Sequence, residues 1–153
     1  YLEETRPEPV LLPGSAAERA EARRLSGYFG DKFHREVTDR LLHERVTKRL
    51  MRSGHPDSQR IRDGRAAIRY HLDYIDWLAD HRRWLAGERL SIADLAAAAQ
   101  LSSLDYIGDV DWERVPNAKD WYARIKSRPS FRSLLADSLP GFRAPVHYAD
   151  LDF

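Results

Sequence analysis

An all-α fold is predicted for this chain of 153 residues from three features of its sequence. Apolar residues recur every three or four positions over long stretches, which is the spacing that places them on one face of a helix. No stretch of useful length alternates apolar and polar residues as a half-buried strand would. Ser15 and Ser91 each precede an acidic residue by three positions, and such capping boxes mark the starts of helices. We therefore expect a bundle of helices.

Composition excludes several classes of protein. The chain holds no cysteine, which excludes disulfides, thiolate nucleophiles and cysteine-bound zinc and is compatible with the cytoplasm, the location that we expect. Lys and Arg number 25 against 24 acidic residues, and both signs are mixed along the chain, so we expect no nucleic-acid partner. No apolar run approaches the roughly 18 to 20 residues of a membrane span, so no such span is expected.

The first long helix is expected from Ser15, within the capping box Ser15-Ala16-Ala17-Glu18, to about Arg52. Before it, residues 1–14 hold three prolines and Gly14, which is typical of a connector. Gly27 and Gly30 interrupt the helix, and we expect either a bend or a close approach of another backbone there. The apolar face of this helix comprises Leu25, Tyr28, Phe29, Phe33, Val37, Leu41, Leu42, Val46 and Leu50.

Three further helices are expected after it, besides a central one. Asp57 or Ser58 is predicted to cap a helix that ends near Asp80, and residues 116–117 begin another that holds Trp121. Ser130 is predicted to cap a short last helix, which ends near residue 137.

The central helix is expected from Ser91 to about residue 107. It is apolar on nearly every side, at Ile92, Leu95, Ala96, Ala99, Leu101, Leu104 and Ile107. A helix without a polar face is a buried one, so we expect the other helices to surround it. Ser91 and Asp94 form its capping box, and Leu90 and Leu95 can pack as a hydrophobic staple. The capping role accounts for Asp94 without any catalytic one.

Four landmarks in order resemble the C-terminal domain of the glutathione transferase superfamily. Leu90-Ser91-Ile92-Ala93-Asp94, after Gly87, is similar to the motif that opens the buried central helix of that domain. Residues 1–7 with Leu11-Leu12-Pro13 resemble the end of the family's thioredoxin-like domain and its linker. Trp121 and Arg128-Pro129-Ser130-Phe131 resemble the late helices. The resemblance implies three parts. Residues 1–14 are the end of the thioredoxin-like domain and its linker, residues 15–138 are the helical domain, and residues 139–153 are an extended tail.

The resemblance also implies which chemistry this chain lacks by itself. In the family, the thioredoxin-like domain binds and activates glutathione, and its Tyr, Ser or Cys, its cis-proline and its acidic-Ser pair cannot be located here. We therefore expect no catalytic residue and no cofactor, with glutathione relevant only if the full-length protein is an active transferase. Tyr28, Phe29 and Phe33 are candidates for the second substrate's pocket, although an aromatic stripe at helical spacing more often belongs to a core.

Other patterns in the sequence give only weak evidence for a binding site. The six histidines show neither the His-Glu-x-x-His spacing nor cysteine companions, so we expect no metal site. Arg62, Arg65 and Arg69 form a helical row that could hold a phosphate or a carboxylate. The alternative is a solvated face that is paired with nearby acids.

The tail, residues 139–153, is unlike the rest of the chain. Pro140, Gly141 and Pro145 exclude a helix, yet the segment is too apolar for an ordinary solvated tail. Two interpretations remain open: the tail folds back over its own bundle, or it docks on a partner. The residues that would dock are His147, Tyr148, Asp150, Leu151, Asp152 and Phe153.

The last seven residues, 147–153, resemble the ending of glutathione transferase-like division proteins of alphaproteobacteria, which bind the tubulin-like protein FtsZ. The resemblance implies a non-catalytic interaction domain with FtsZ or another division protein as its partner, at the division site. It also implies a homodimer for the full-length protein. The alternative is the C-terminal domain of a genuine glutathione transferase that conjugates glutathione to electrophiles, with the tail covering the second-substrate pocket.

Overall fold

The computed structural model describes residues 1–6, 8–151 and 153, without the side chain of Leu2. Within these residues there is no strand, and the predicted all-α class is confirmed. Two π-helical segments, Tyr28–Thr38 and His43–Thr47, and two 3₁₀ turns, Trp112–Arg114 and Val146–Tyr148, complete the helical elements. The α-helices are α1 (Leu2–Thr5), α2 (Ala16–Gly27), α3 (Asp39–Leu42), α4 (Lys48–Met51), α5 (Ser58–His81), α6 (Ile92–Tyr106), α7 (Pro116–Lys126) and α8 (Pro129–Leu135).

The π-helical segments join α2, α3 and α4 into one long helix, residues 16–51. Its predicted capping box is confirmed, since the Glu18 amide donates to Ser15 Oγ at 3.3 Å and the Ser15 amide to Glu18 Oε2 at 2.6 Å. The amide of Asp39 donates five residues back to the His34 carbonyl, which is the π-helical pattern. No close approach occurs at Gly27 or Gly30, where an added Cβ would meet nothing within 4 Å, so the second of the two expected alternatives is excluded.

The close approach lies instead at Gly64 of α5. A Cβ added there would lie 2.9 Å from Cγ and Cδ2 of Leu41 on α3. Asp57, one of the two predicted caps, begins α5: its carboxylate accepts from the amides of Gln59 at 2.8 Å and Arg60 at 3.2 Å. Helix α5 therefore packs tightly across the long helix.

Helix α6 lies at the centre of the bundle, as predicted. Ala93, Ala97, Leu101 and Leu104 are fully buried, and α6 packs against the long helix and α7. Its burial is less complete than the sequence suggests, because Leu95 is 38% exposed and Ala99 is also exposed. One side of α6 is therefore open in this structure.

Helices α7 and α8 both begin with a proline at the first helical position. The prediction that Ser130 caps α8 is wrong, because Arg128 occupies the cap position and makes no side-chain capping bond. Proline suits the first turn since its missing N–H would have no partner there. Among the described helices, none is long and apolar enough to cross a membrane.

Candidate functional site

The C-terminal tail folds back over its own bundle in this structure. Tyr148 is buried, and its hydroxyl lies 3.2 Å from Ser102 Oγ on α6. Its ring meets the ring of Tyr106 edge to face, with centroids 5.2 Å apart. Burial raises the pKa of the Tyr148 phenol above its ordinary value. The structure therefore shows the first of the two arrangements that the sequence leaves open for the tail.

Asp105 anchors the tail from α6. This fully buried carboxylate accepts from Trp112 Nε1 at 2.8 Å, and its Oδ1 also lies 2.8 Å from His147 Nε2. His147 therefore donates from Nε2 in this arrangement. The other oxygen, Oδ2, is buried and has no hydrogen-bond partner among the described residues. Asp105 thus ties the tail to α6 and to the turn before α7.

Lys126, at the end of α7, is fully buried beneath the tail. Its Nζ donates to the His147 carbonyl at 3.0 Å and lies 3.9 Å from the centroid of the Phe153 ring. The ammonium also lies 5.7 Å from the Tyr122 ring centroid. Burial lowers the pKa of Lys126, and the carboxylates of Asp105 and Asp150 oppose that shift. Without the tail, this cation would lose its hydrogen bond to the tail and its closest aromatic ring.

The remaining tail residues differ in their exposure. Phe153 is partly buried, with its ring centroid 5.2 Å from that of Trp112 and 5.7 Å from that of His147. Leu151 is also partly buried, whereas Asp150 is exposed. Asp152, a predicted docking residue, lies outside the described residues. In the closed tail Leu151 and Phe153 are therefore partly covered, whereas Asp150 is exposed.

The three aromatic residues proposed for a second-substrate pocket lie in or beside the core. Phe29 and Phe33 are fully buried, with ring centroids 6.1 Å apart. Tyr28 is partly buried, and its hydroxyl lies 2.6 Å from Nδ1 of His71 on α5. His71 Nε2 in turn lies 2.9 Å from Glu36 Oε2. This Tyr28–His71–Glu36 network was missed by sequence reasoning, and no local motif signals it.

Asp94 does more than cap α6. Its Oδ2 accepts from the amide and the hydroxyl of Ser91 at 2.9 and 3.0 Å, which completes the predicted capping box. Its Oδ1 accepts from the Leu85 amide at 2.8 Å and from Trp121 Nε1 at 2.9 Å. All four donors belong to the protein, so the carboxylate has a structural role that joins α6, α7 and the segment before α6.

Two adjoining cavities lie between the end of the long helix and the C-terminal end of α6. Their volumes are about 600 and 510 Å³, and Val46, Tyr106 and Ile107 line both. The larger is lined mainly by basic and aromatic groups, the smaller mainly by apolar groups, including Tyr148 of the tail. Neither is lined by Tyr28, Phe29 or Phe33.

The other candidate groups are dispersed. Arg65 pairs with Asp109 at 3.0 Å and Arg62 donates to Gln59 at 2.6 Å, which agrees with a solvated and paired face for that row. No group of three or more His, Cys, Asp or Glu side chains in the described part of the chain is placed to hold a metal ion.

Comparison with known proteins agrees with this architecture. The family model of the glutathione S-transferase C-terminal domain matches residues 58–124. FtsZ-localized protein A of Caulobacter vibrioides (strain NA1000 / CB15N) is 55% identical over 153 residues, a match that covers 100% of this chain and 67% of that protein.

Solved structures give the same result. A glutathione S-transferase from Rhodospirillum rubrum F11 superposes with a TM-score of 0.95 at 57% identity, covering 100% of this chain and 69% of that one. FzlA from C. crescentus superposes with a TM-score of 0.95 at 55% identity, covering 99% of this chain and 67% of that one. This chain thus spans about two thirds of the length of these relatives. It belongs to the glutathione S-transferase superfamily, among the relatives of FtsZ-localized protein A.

Proposed function

We propose that this chain is the non-catalytic interaction domain of a glutathione transferase-like cell-division protein, and that it binds FtsZ filaments or another division protein. The observation that carries the proposal is the 55% identity, over the whole chain, to FtsZ-localized protein A. On this proposal the protein acts in the cytoplasm at the division site and regulates constriction.

The three-part organisation belongs to the same proposal. Residues 1–14 form the end of the preceding domain and its linker, residues 15–138 the helical domain, and residues 139–153 the tail. The fold supports this division, since α8 ends at Leu135 and only one short 3₁₀ turn follows it among the described residues.

The closed tail offers its outer side to a partner. Tyr148 and His147 anchor it inward, whereas Val146 is 91% exposed and Ala149 and Asp150 are also exposed. A partner can therefore contact the tail without displacing its buried anchors. Exposed apolar and acidic side chains on one short segment suit a partner surface with an apolar pocket and an electropositive rim.

The test is co-sedimentation of the full-length gene product with polymerised FtsZ, with Val146→Glu as the tail variant. This substitution adds charge to the outer side without touching Lys126 or Asp105. Met51→Glu is the matched control, because Met51 is also a highly exposed apolar side chain, 73% exposed, at the end of the long helix. We expect the wild type and the control to pellet with polymer, and the tail variant to stay in the supernatant.

Two other results would change the proposal. If both variants pellet like the wild type, FtsZ binding stands but does not use the outer side of the tail. If the wild type does not pellet at all, FtsZ is not the partner. Deletion of residues 147–153 would be a poorer test than Val146→Glu, because it also uncovers Lys126 and Asp105.

A homodimer is proposed for the full-length protein. The supporting observation is an exposed aromatic row on α5, where Tyr70 is 64% and Trp77 50% exposed. Aromatic side chains are enriched in protein interfaces. Sedimentation velocity should show a dimer that Trp77→Glu converts to monomer, and a monomeric wild type would exclude it.

The alternative function is a genuine glutathione transferase, and the match to a Rhodospirillum rubrum glutathione S-transferase favours it. The full-length protein would then be retained on glutathione resin and would conjugate an electrophile. Absence of both activities would leave the interaction domain as the supported function.

A further inference from the structure

The larger of the two cavities carries an excess of positive charge. Arg45, Arg49, His55 and Arg143 line it, and none of the described residues in its lining is acidic. Arg45 forms an ion pair with Asp109, which lies outside the lining of this cavity and also pairs with Arg65. None of the ion pairs in the described part of the chain involves Arg49 or Arg143. Two cations are therefore available to a ligand.

The start of the tail shapes this cavity. The Tyr106 hydroxyl donates to the Phe142 carbonyl at 3.2 Å and accepts from the Leu139 amide at 2.8 Å. The turn between these residues passes through Gly141, whose φ of +80° suits glycine. The turn places the Phe142 ring 4.8 Å from the Arg49 guanidinium carbon. The cationic wall is thus held by α6 and does not depend on the last residues of the tail.

The smaller cavity continues the larger one as an apolar groove. Leu42, Ala99, Leu134 and Leu139 line it, together with the three residues shared with the cationic cavity. Its polar lining includes one carboxylate, that of Asp137, and several hydroxyl groups, and this carboxylate is not part of the cationic cavity. A ligand that matches both cavities has an anionic group at one end and apolar groups beside it. We propose that the two cavities form a docking groove for an acidic segment of a partner protein, with its carboxylates at Arg49 and Arg143 and its apolar side chains toward Leu42 and Leu134.

The adjoining apolar groove favours a peptide over a free phosphate. Guanidinium groups bind both carboxylates and phosphates. A phosphate alone, however, would leave the adjoining apolar groove unused. The proposal is also independent of the outer side of the tail, so co-sedimentation with FtsZ can succeed or fail whatever this groove binds.

The test is an NMR titration of the isotope-labelled full-length protein with the blocked peptide acetyl-Glu-Asp-Leu-Phe-Leu-amide. We expect amide shifts that cluster at residues 45–49, 54–56 and 142–143. The neutral peptide acetyl-Gln-Asn-Leu-Phe-Leu-amide should bind at least about tenfold more weakly, because it lacks the carboxylates. Arg143→Glu should weaken the binding of the acidic peptide by a similar factor, since Arg143 is exposed and its replacement reverses one of the two charges.

Arg23→Glu is the matched control, because Arg23 is an exposed arginine at the other end of the long helix. This variant should bind the acidic peptide like the wild type. Equal binding of the two peptides, no loss in Arg143→Glu, or an equal loss in Arg23→Glu would overturn the proposal. Inorganic phosphate that reproduces the whole set of shifts would overturn it in favour of a simple anion site.

Discussion

At the scale of single residues, the buried Asp94 carboxylate joins α6, α7 and the segment before α6. Asp94→Ala removes the acceptor of four hydrogen bonds and leaves buried donors on Ser91, Leu85 and Trp121 without a partner. Each such donor costs about 1–3 kcal/mol, so we expect the free energy of unfolding to fall by at least about 3 kcal/mol. A lost cap alone costs about 1 kcal/mol.

Urea unfolding of the full-length protein measures this loss. Ser15→Ala is the control, because Ser15 forms the same type of capping box on an exposed helix start. It should cost about 1 kcal/mol. Equal losses in the two variants would show that Asp94 acts only as a cap.

His71 predicts a dependence of stability on pH. Burial lowers its pKa below the ordinary 6.5, although Glu36 opposes the shift. Below that pH the unfolded chain binds a proton at His71 that the folded chain resists, so the free energy of unfolding falls as pH drops through 6.5. The pKa values of Glu36 and Glu44 are also lowered, but these two groups change the free energy of unfolding only below about pH 4.5, the pKa of a free glutamate.

Melting temperatures from about pH 8 to about pH 5 test this dependence. His71→Gln keeps a polar side chain between Tyr28 and Glu36 but does not titrate. The variant should lose less stability than the wild type between these two pH values. The same pH dependence in both proteins would assign it to other groups.

At the scale of elements, the crossing of α5 over the long helix depends on Gly64. Gly64→Ala would place a methyl group 2.9 Å from Leu41, and such overpacking costs about 1–3 kcal/mol. Gly27→Ala has open space around it and should instead stabilise the helix by about 0.5–1 kcal/mol. Chemical denaturation should therefore show a lower free energy of unfolding for Gly64→Ala and a higher one for Gly27→Ala. The same sign in both variants would contradict the close packing at Gly64.

The sequence predicts what local chemistry decides. The caps at Ser15, Asp57 and Ser91 were predicted correctly because capping bonds join residues two or three positions apart. The tight contact at Gly64 could not be predicted, since it depends on which helices cross and where. The His71 network could not be predicted for the same reason, since Glu36 and Tyr28 are 35 and 43 positions away from His71 along the chain.

The candidate site shows the same limit. The composition of residues 139–153 indicates that the tail must bury its apolar side chains, but it does not indicate against which surface they pack. Lys126 stands in the last turn of α7, where lysines are usually solvated and favoured by the helix dipole. Only the closed tail explains its burial, and that closure joins residues 21 positions apart.

At the scale of the whole molecule, the tail closes the bundle through Lys126, and this closure can be tested separately from folding. Lys126→Met keeps an apolar stem of similar length but removes the bond to the His147 carbonyl and the cation over Phe153. The variant also removes the cation whose charge Asp105 and Asp150 favour, so some loss of stability accompanies it. We therefore expect hydrogen exchange in residues 146–153 to become faster than in the wild type well below the melting temperature, measured by mass spectrometry. Arg132→Met, at an exposed site, should leave that exchange unchanged. Equal tail exchange in Lys126→Met and the wild type would show that Tyr148 and Asp105 hold the tail without Lys126.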